Sequence, residues 1–550
     1  MVAACRRVPS VAVAAAAAAT STLLVVPTPT TAAQIFPIVG ADAVADAVLG
    51  RMDRTADPCV DAVQWACGGW AAKAQIPPSK TYVGSFGDIR DRVVAGLDRV
   101  LCSPAEAATP VGTPYAACAR ATIATARGGG AAAKAAGMEM LGRFAPALAA
   151  ITTDGTMEAV VGAISTLHSN GGGLPLVDSG VSNSRVKHPE MVLEAYRPDL
   201  GMSSSGFRAD TPIGRAVNAA YRTMLEELLS DAGEAGLLPI GPSAPAAGGG
   251  RRARPDAAAA YWRWKQEATG TRAPPDVKTR CVERVGDLLP WGVGDVFVRH
   301  FFDDAKTKAA MQIVNAVQEA YPKLITGAKW LDAETRAAAI AKFVALTYNV
   351  AHFSRNPTDA YDDVVVSADD YPGSWASAAR HACRNEYTIA AGILQSPIFD
   401  PAAPAAQSYG SAGFLVGHEI THAFDNRNRR LGGNVTVDGS LTLPDNLADA
   451  GGVASAALAL NAAVAAGQTG PANARLEDAF TPQQLFYLGY AQTYCRKRTP
   501  RSLLERLSTN RHAPARFRLQ GGLSQHPGFA TAFSCAPGTP YNPPKRCSLW

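Results

Sequence analysis

The chain has 550 residues, 47% hydrophobic and 18% charged, so it can bury a large core over several domains and is no disordered polyelectrolyte. A net charge of +5 is too dilute for a nucleic-acid-binding surface, and the basic run from Arg496 to Arg518 reads as a solvated face. Glycine and proline, 50 and 38 residues, predict long loops without a collagen period.

Arg6 and Arg7 precede an Ala-rich apolar run from Val11 to Val26, and Thr31-Ala32-Ala33 offers a small-residue cleavage site. Residues 1–33 therefore read as a secretory signal peptide, with an uncleaved signal anchor as the alternative. No other run of 18 or more consecutive strongly apolar residues is expected to cross a membrane. The ten cysteines are scattered and form no CxxC pair. With Cys5 removed alongside the leader, an odd number remains, which fits disulfides in an oxidising compartment with at least one thiol left over.

Residues 34–56 read as a lead-in. Asp57 to Trp70 is a compact segment holding Cys59, Cys67 and a CGGW turn. From about 88 to 350 the pattern is mostly helical, interrupted by loop-like stretches at Gly128–Gly137 and Pro242–Arg254. One helix is expected after Trp330, where Asp332 can cap and Ala339, Phe343 and Leu346 recur at i, i+4 and i+7. At Thr388 the character changes to a short strand-like run, a helix carrying histidines, further helices and a Cys-rich tail.

The chemistry concentrates in Gly417-His418-Glu419-Ile420-Thr421-His422, an HExxH pattern. Helical spacing puts His418 and His422 on one face, where both imidazoles can bind one Zn²⁺, and sets Glu419 about 100° round, within reach of a water on that ion. Phe414, Leu415 and Val416 predict that this helix is buried. A zinc site needs a third protein ligand and an open position. Asp445 and Asp449, four apart in Pro444-Asp445-Asn446-Leu447-Ala448-Asp449, offer one acid for the metal and one to orient a ligand histidine.

These residues resemble the neprilysin and endothelin-converting enzyme family of zinc metallopeptidases. Four blocks carry the resemblance: Asp57-Pro58-Cys59 to Cys67-Gly68-Gly69-Trp70; Trp330 to Thr335; Ala391-Gly392-Ile393-Leu394-Gln395 leading into HEITHAFD; and the Cys547-Ser548-Leu549-Trp550 tail. The resemblance implies one Zn²⁺ per chain on His418, His422 and Asp445, Glu419 as catalytic base, and Asp449 orienting a ligand histidine. It implies that His512 stabilises the tetrahedral intermediate and that Arg518 holds a substrate carbonyl. Phe86, Ile393 and Tyr494 fall at or near positions that shape the substrate pocket, with ordinary core packing as the alternative for each. It pairs Cys59 with Cys535, Cys67 with Cys495, and Cys118 with Cys281.

The implied fold is mostly α (α+β) and two-lobed, with a helical N-terminal lobe over residues 57–350 and a thermolysin-like catalytic lobe over 380–550, enclosing a chamber. The implied activity is cleavage of oligopeptides on the amino side of bulky apolar residues, in a secreted protein; a signal anchor would make it a type II membrane protein. A member that keeps the fold as a zinc- or peptide-binding protein is the alternative.

Three departures stand out. Relatives use Glu where this chain has Asp445, one methylene shorter, so the backbone must approach or the bond lengthen, and affinity should fall. Asp445 follows His418 by only 27 positions, a short span that leaves Cys547 without the cysteine it would pair with. Ala382-Cys383-Arg384-Asn385 runs into Thr388 without the Asn-Ala pair that holds substrate backbone in relatives.

Overall fold

The computed structural model describes residues 40–119, 178–183, 191–196, 212–234, 257–351, 386–424 and 439–547. The leader at 1–33, the start of the lead-in, both loop-like stretches and the run 382–385 with Cys383 lie outside them.

Helices longer than four residues are numbered here in chain order. The N-terminal part begins with α1 (Ala41–Leu49), α2 (Ala62–Lys73) and α3 (Ser85–Leu101). Asp61 caps α2 by accepting the Gln64 N–H, a contact of the kind that stabilises a helix by about 1 kcal/mol. Then follow α4 (Pro212–Glu234), α5 (Ala257–Thr269), α6 (Val277–Leu288), α7 (Pro290–Phe301), α8 (Asp304–Gly327) and α9 (Ala333–Val344). The α9 start is as its sequence predicts, with Asp332 accepting the Thr335 N–H at 2.7 Å. Its end is earlier: Leu346 lies beyond the helix, and no α9 side chain is fully buried. Phe343 is half-buried and stacks on Tyr321 of α8 at 5.6 Å.

The C-terminal part holds α10 (Phe414–Thr421), α11 (Gly439–Ala465), α12 (Pro482–Thr493), α13 (Pro500–Thr509), α14 (Ala515–Gln525) and α15 (Pro527–Ala532). Strands are few among the described residues: β1 (Tyr82–Gly84), β2 (Asp178–Asn183), β3 (Met191–Tyr196), β4 (Thr347–Ala351), β5 (Glu386–Ala390) and β6 (Arg496–Arg498). They form three two-stranded ladders, β1 with β6 and β2 with β3 antiparallel, β4 with β5 parallel. The strand-like run at Thr388 is β5. The fold is thus mostly helical, as expected.

One principal core joins the two parts. It runs from Trp65 of α2 through Phe297, Tyr321, Phe414, Phe486 and Tyr490 to Phe529. A satellite core of Val217, Ala220 and Trp264 lies between α4 and α5. Disulfides Cys59–Cys535 and Cys67–Cys495 fasten the N-terminal segment onto the C-terminal part, and Cys118–Cys281 ties the N-terminal part to itself. Among the described residues Cys102 and the exposed Cys547 are not in a disulfide.

By mean hydropathy the stretch Thr442–Ala465 of α11 is apolar enough to cross a membrane. It is nevertheless a core helix, 61% buried over that window and carrying two buried aspartates.

Candidate metal centre

The two histidines come from α10 and the turn that ends it. His418 lies in the helix, whereas His422 begins a tight 3₁₀ turn, His422–Phe424. The four-residue spacing still brings the imidazoles together, with Nε2 to Nε2 at 3.1 Å. Neighbouring helices clamp α10 from two sides. Tyr321 of α8 donates its hydroxyl to Gly417 O at 2.6 Å and meets the Thr421 hydroxyl. Phe414 packs edge-on against Tyr490 of α12 at 4.6 Å.

The acids arrive on α11, where Asp445, Asp449 and Gly452 recur at i, i+4 and i+7 and so share a face. Gly452 lets that face press on α10: a Cβ there would stand 2.7 Å from Phe414 O and 2.9 Å from His418 N. A Cβ on Gly417 would stand 2.9 Å from Gly452 Cα. The two glycines therefore set a backbone-to-backbone contact beside His418.

Asp445 Oδ1 consequently lies 3.7 Å from Nε2 of both His418 and His422. Ligand atoms of the three residues fall within 4.8 Å of one another. Tetrahedral zinc with bonds of about 2.0–2.2 Å separates its ligand atoms by roughly 3.3–3.6 Å, so the spacing suits one ion. Asp445 reaches this place across the close α10–α11 contact that Gly417 and Gly452 permit. Asp445 is 0% exposed, and neither of its carboxylate oxygens has a hydrogen-bond partner. A buried carboxylate left in that state is costly, and a cation between it and the imidazoles removes the cost. Two imidazole nitrogens with one carboxylate oxygen form a donor set that fits zinc.

Asp449 sits behind His418. Its Oδ1 is 2.9 Å from His418 Nδ1, a short contact without good hydrogen-bond alignment. Arg518 of α14 holds it in a fork, Nε to Oδ2 at 2.8 Å and Nη2 to Oδ1 at 2.6 Å, and the Tyr494 hydroxyl donates to Oδ1 at 3.1 Å. Burial disfavours the Asp449 anion, but Arg518 and His418 outweigh it and hold the carboxyl well below the usual range. Burial likewise disfavours the His418 imidazolium, yet Asp445 and Asp449 carry its pKa up to about 9 in the metal-free chain.

His512 precedes α14 and turns Nε2 to within 3.1 Å of Asp445 Oδ1. Asn510 positions it. The Asn510 carbonyl oxygen accepts the His512 N–H and an Arg506 N–H, so the 3.0 Å contact to His512 Nδ1 requires a proton on Nδ1. Burial, then Arg518, lowers the His512 pKa to about 4. Glu419 follows His418 on α10 and is half-buried. Phe86 is half-buried in the first turn of α3, near Arg496, and Ile393 packs half-buried on the principal core after β5.

The structure corrects one expectation. The run from Arg496 to Arg518 is not a uniform solvated face: Lys497, Arg511 and Arg516 are exposed, whereas Arg496, Arg498 and Arg518 are partly buried. Sequence reading also missed Gly417, Gly452 and Asn510. A glycine pair facing across two helices was the available signal for the first two; nothing in the sequence marked Asn510.

The sequence pattern of peptidase family M13 matches residues 58–248 and 251–353 with its N-terminal part, and 380–438 and 432–549 with its catalytic part. The chain belongs to peptidase family M13. This M13 chain is 30% identical to human endothelin-converting enzyme 1 over 339 residues, 49% of this chain and 44% of that protein. It is 28% identical to Neprilysin-1 of Caenorhabditis elegans over 343 residues, 49% of this chain and 45% of that protein. The matched stretch thus spans a little under half the length of these relatives. Its fold resembles the zinc metalloprotease Zmp1 of Mycobacterium tuberculosis in complex with inhibitor, with TM-score 0.65, 19% identity, and coverage of 89% of this chain and 96% of that one. PepO from Lactobacillus rhamnosis HN001 gives TM-score 0.65 at 17% identity, covering 89% and 98%.

Proposed function

We propose that the chain is a secreted zinc endopeptidase acting on oligopeptides, with cleavage on the amino side of bulky apolar residues. The observation that carries this reading is the buried Asp445 carboxylate, without a hydrogen bond among the described residues and facing the His418 and His422 imidazoles at ligand spacing, with His512 Nε2 at 3.1 Å. His418, His422 and Asp445 would hold the ion. Zinc at this place supplies Lewis-acid polarisation of the scissile carbonyl and acidifies water.

The chain's own residues do the rest. Glu419 takes a proton from the attacking water and delivers it to the leaving amine. Asp449 fixes the His418 ring, and Arg518, 13% exposed, grips Asp449 through Nε and Nη2, which leaves Nη1 outside that fork for a substrate carbonyl. His512, held through Nδ1, turns Nε2 towards the cluster, and once protonated there it can donate to the growing negative charge on the carbonyl oxygen, an interaction worth about 3 kcal/mol in such sites. Phe86, Ile393 and Tyr494 shape the pocket for the apolar side chain. The disulfides support an extracellular location.

The test is metal content together with hydrolysis of a quenched apolar peptide. One zinc per chain and cleavage lost with a chelator or with Glu419→Gln are expected. One zinc without cleavage of any peptide in a broad library would leave a zinc-binding relative without protease activity; absence of zinc would end both readings.

A further inference from the structure

A second gathering of charge lies between α5 and α6, and none of the metal-cluster residues belongs to it. On α5, Lys265 follows Tyr261 by four positions and Trp262 by three, so it shares a helix face with each. On α6, Arg280, Arg284 and Asp287 recur at i, i+4 and i+7. Both faces line one cavity of about 700 Å³, the size of a small-molecule site. Cys118 lines it too, and its disulfide to Cys281, the residue after Arg280, fixes that wall.

The cavity holds more positive charge than the protein neutralises. Arg90 pairs with Glu283, and Lys80 with Asp91. Lys265, Arg280 and Arg284 form no ion pair with any described residue, and Asp287 alone among the lining acids is left to face them. Lys265 has only the Trp264 ring, 5.8 Å from its Nζ, a weak partner for an ammonium. Arg280 Nε is buried without a hydrogen-bond partner among the described residues. A buried guanidinium donor left in that state is unfavourable, and an oxyanion seated between the two helices satisfies it.

The rings beside these cations add a second requirement. Trp262 is half-buried, whereas Tyr261 is 38% exposed. The two rings meet edge to face at 5.3 Å, and Tyr261 also packs on Trp264 of the satellite core at 5.6 Å, which anchors it. An exposed but anchored tyrosine offers a flat apolar surface at small entropic cost.

We propose that this cavity binds an anionic ester, a phosphate or sulfate group carried on a ring. The ester lies on Lys265, Arg280 and Arg284, and the ring lies against Tyr261 and Trp262. Arginine forks match the oxygens of such a group, and a dianion offsets the unbalanced cations. A nucleotide and a sulfated sugar are two sources of this one chemistry.

Calorimetric titration of the full chain at physiological salt separates the sources. The probes are ADP against adenosine, a sulfated disaccharide against its unsulfated form, and inorganic phosphate. At least one ester is expected to bind about tenfold tighter than its uncharged counterpart and than inorganic phosphate, and the one that does identifies the source. Arg284→Gln, at an exposed position, should lower that preference about tenfold, and Arg280→Gln should do the same, with thermal melts confirming that both variants fold. Trp262→Ala should bring the ester down to the affinity of inorganic phosphate. Esters that bind no better than their uncharged counterparts, or no better than inorganic phosphate, overturn the assignment. So does a preference unchanged in Arg284→Gln. The titration reads no hydrolysis, so its failure leaves the peptidase reading standing.

Discussion

The side chain at 445 decides how the site should respond to substitution. Sequence alone led to weakened zinc affinity, because Asp is a methylene shorter than Glu. The structure compensates by bringing α11 onto α10, with Asp445 Oδ1 already 3.7 Å from each imidazole. Asp445→Glu is therefore expected to weaken zinc binding, by about 1–3 kcal/mol of overpacking; competition against a chromogenic chelator measures it. Arg518→Met leaves Asp449 charged and buried without its fork, and should cost about 3–5 kcal/mol in urea unfolding. Stability without metal also has a defined pH window. The raised His418 pKa contributes fully below its ordinary 6.5 and is lost as pH rises through about 9. The depressed Asp449 contributes fully above its ordinary 3.8 and is lost as pH falls through its lowered value. His512 and His526, which burial lowers to about 4, contribute fully above 6.5 and lose that contribution as pH falls towards 4, so the melting temperature in chelator should peak near 6.5. Zinc, which needs neutral His418, should move the peak upward; coincident profiles with and without zinc would contradict this.

At the level of elements, the histidine helix was readable because HExxH fixes a spacing and its flanks are apolar. The Asp332 cap was readable for the same local reason. The α9 face was overestimated: periodicity marks which residues share a side, not how closely another element covers it, and α9 is covered only in part. The α10–α11 contact went unread because its signal, Gly417 and Gly452, is split between two helices far apart in sequence and shows only once they are paired. Gly452→Ala tests it. The added methyl would collide with Phe414 O and His418 N, separating the helices at a cost of about 1–3 kcal/mol. Helix content by circular dichroism should persist while zinc affinity falls at least tenfold. Retained affinity would show that the acids do not depend on that contact for their reach.

For the molecule as a whole, the mostly helical class and the three cysteine pairings were legible through family resemblance, which supplies long-range partners that periodicity cannot. What stayed hidden was the burial of single arginines inside a basic run, since charge composition does not report which guanidinium faces inward. Two of the disulfides span almost the whole described chain, Cys59–Cys535 over 476 positions and Cys67–Cys495 over 428. Their geometry makes the polypeptide a closed hoop. A single cut by a foreign protease between residues 67 and 495 opens the hoop without releasing a fragment, and the principal core continues to hold the halves together. Limited trypsin treatment should therefore give one full-mass band on a non-reducing gel and two on a reducing gel. If the chain is secreted, as proposed, it would survive such nicks as a two-chain form.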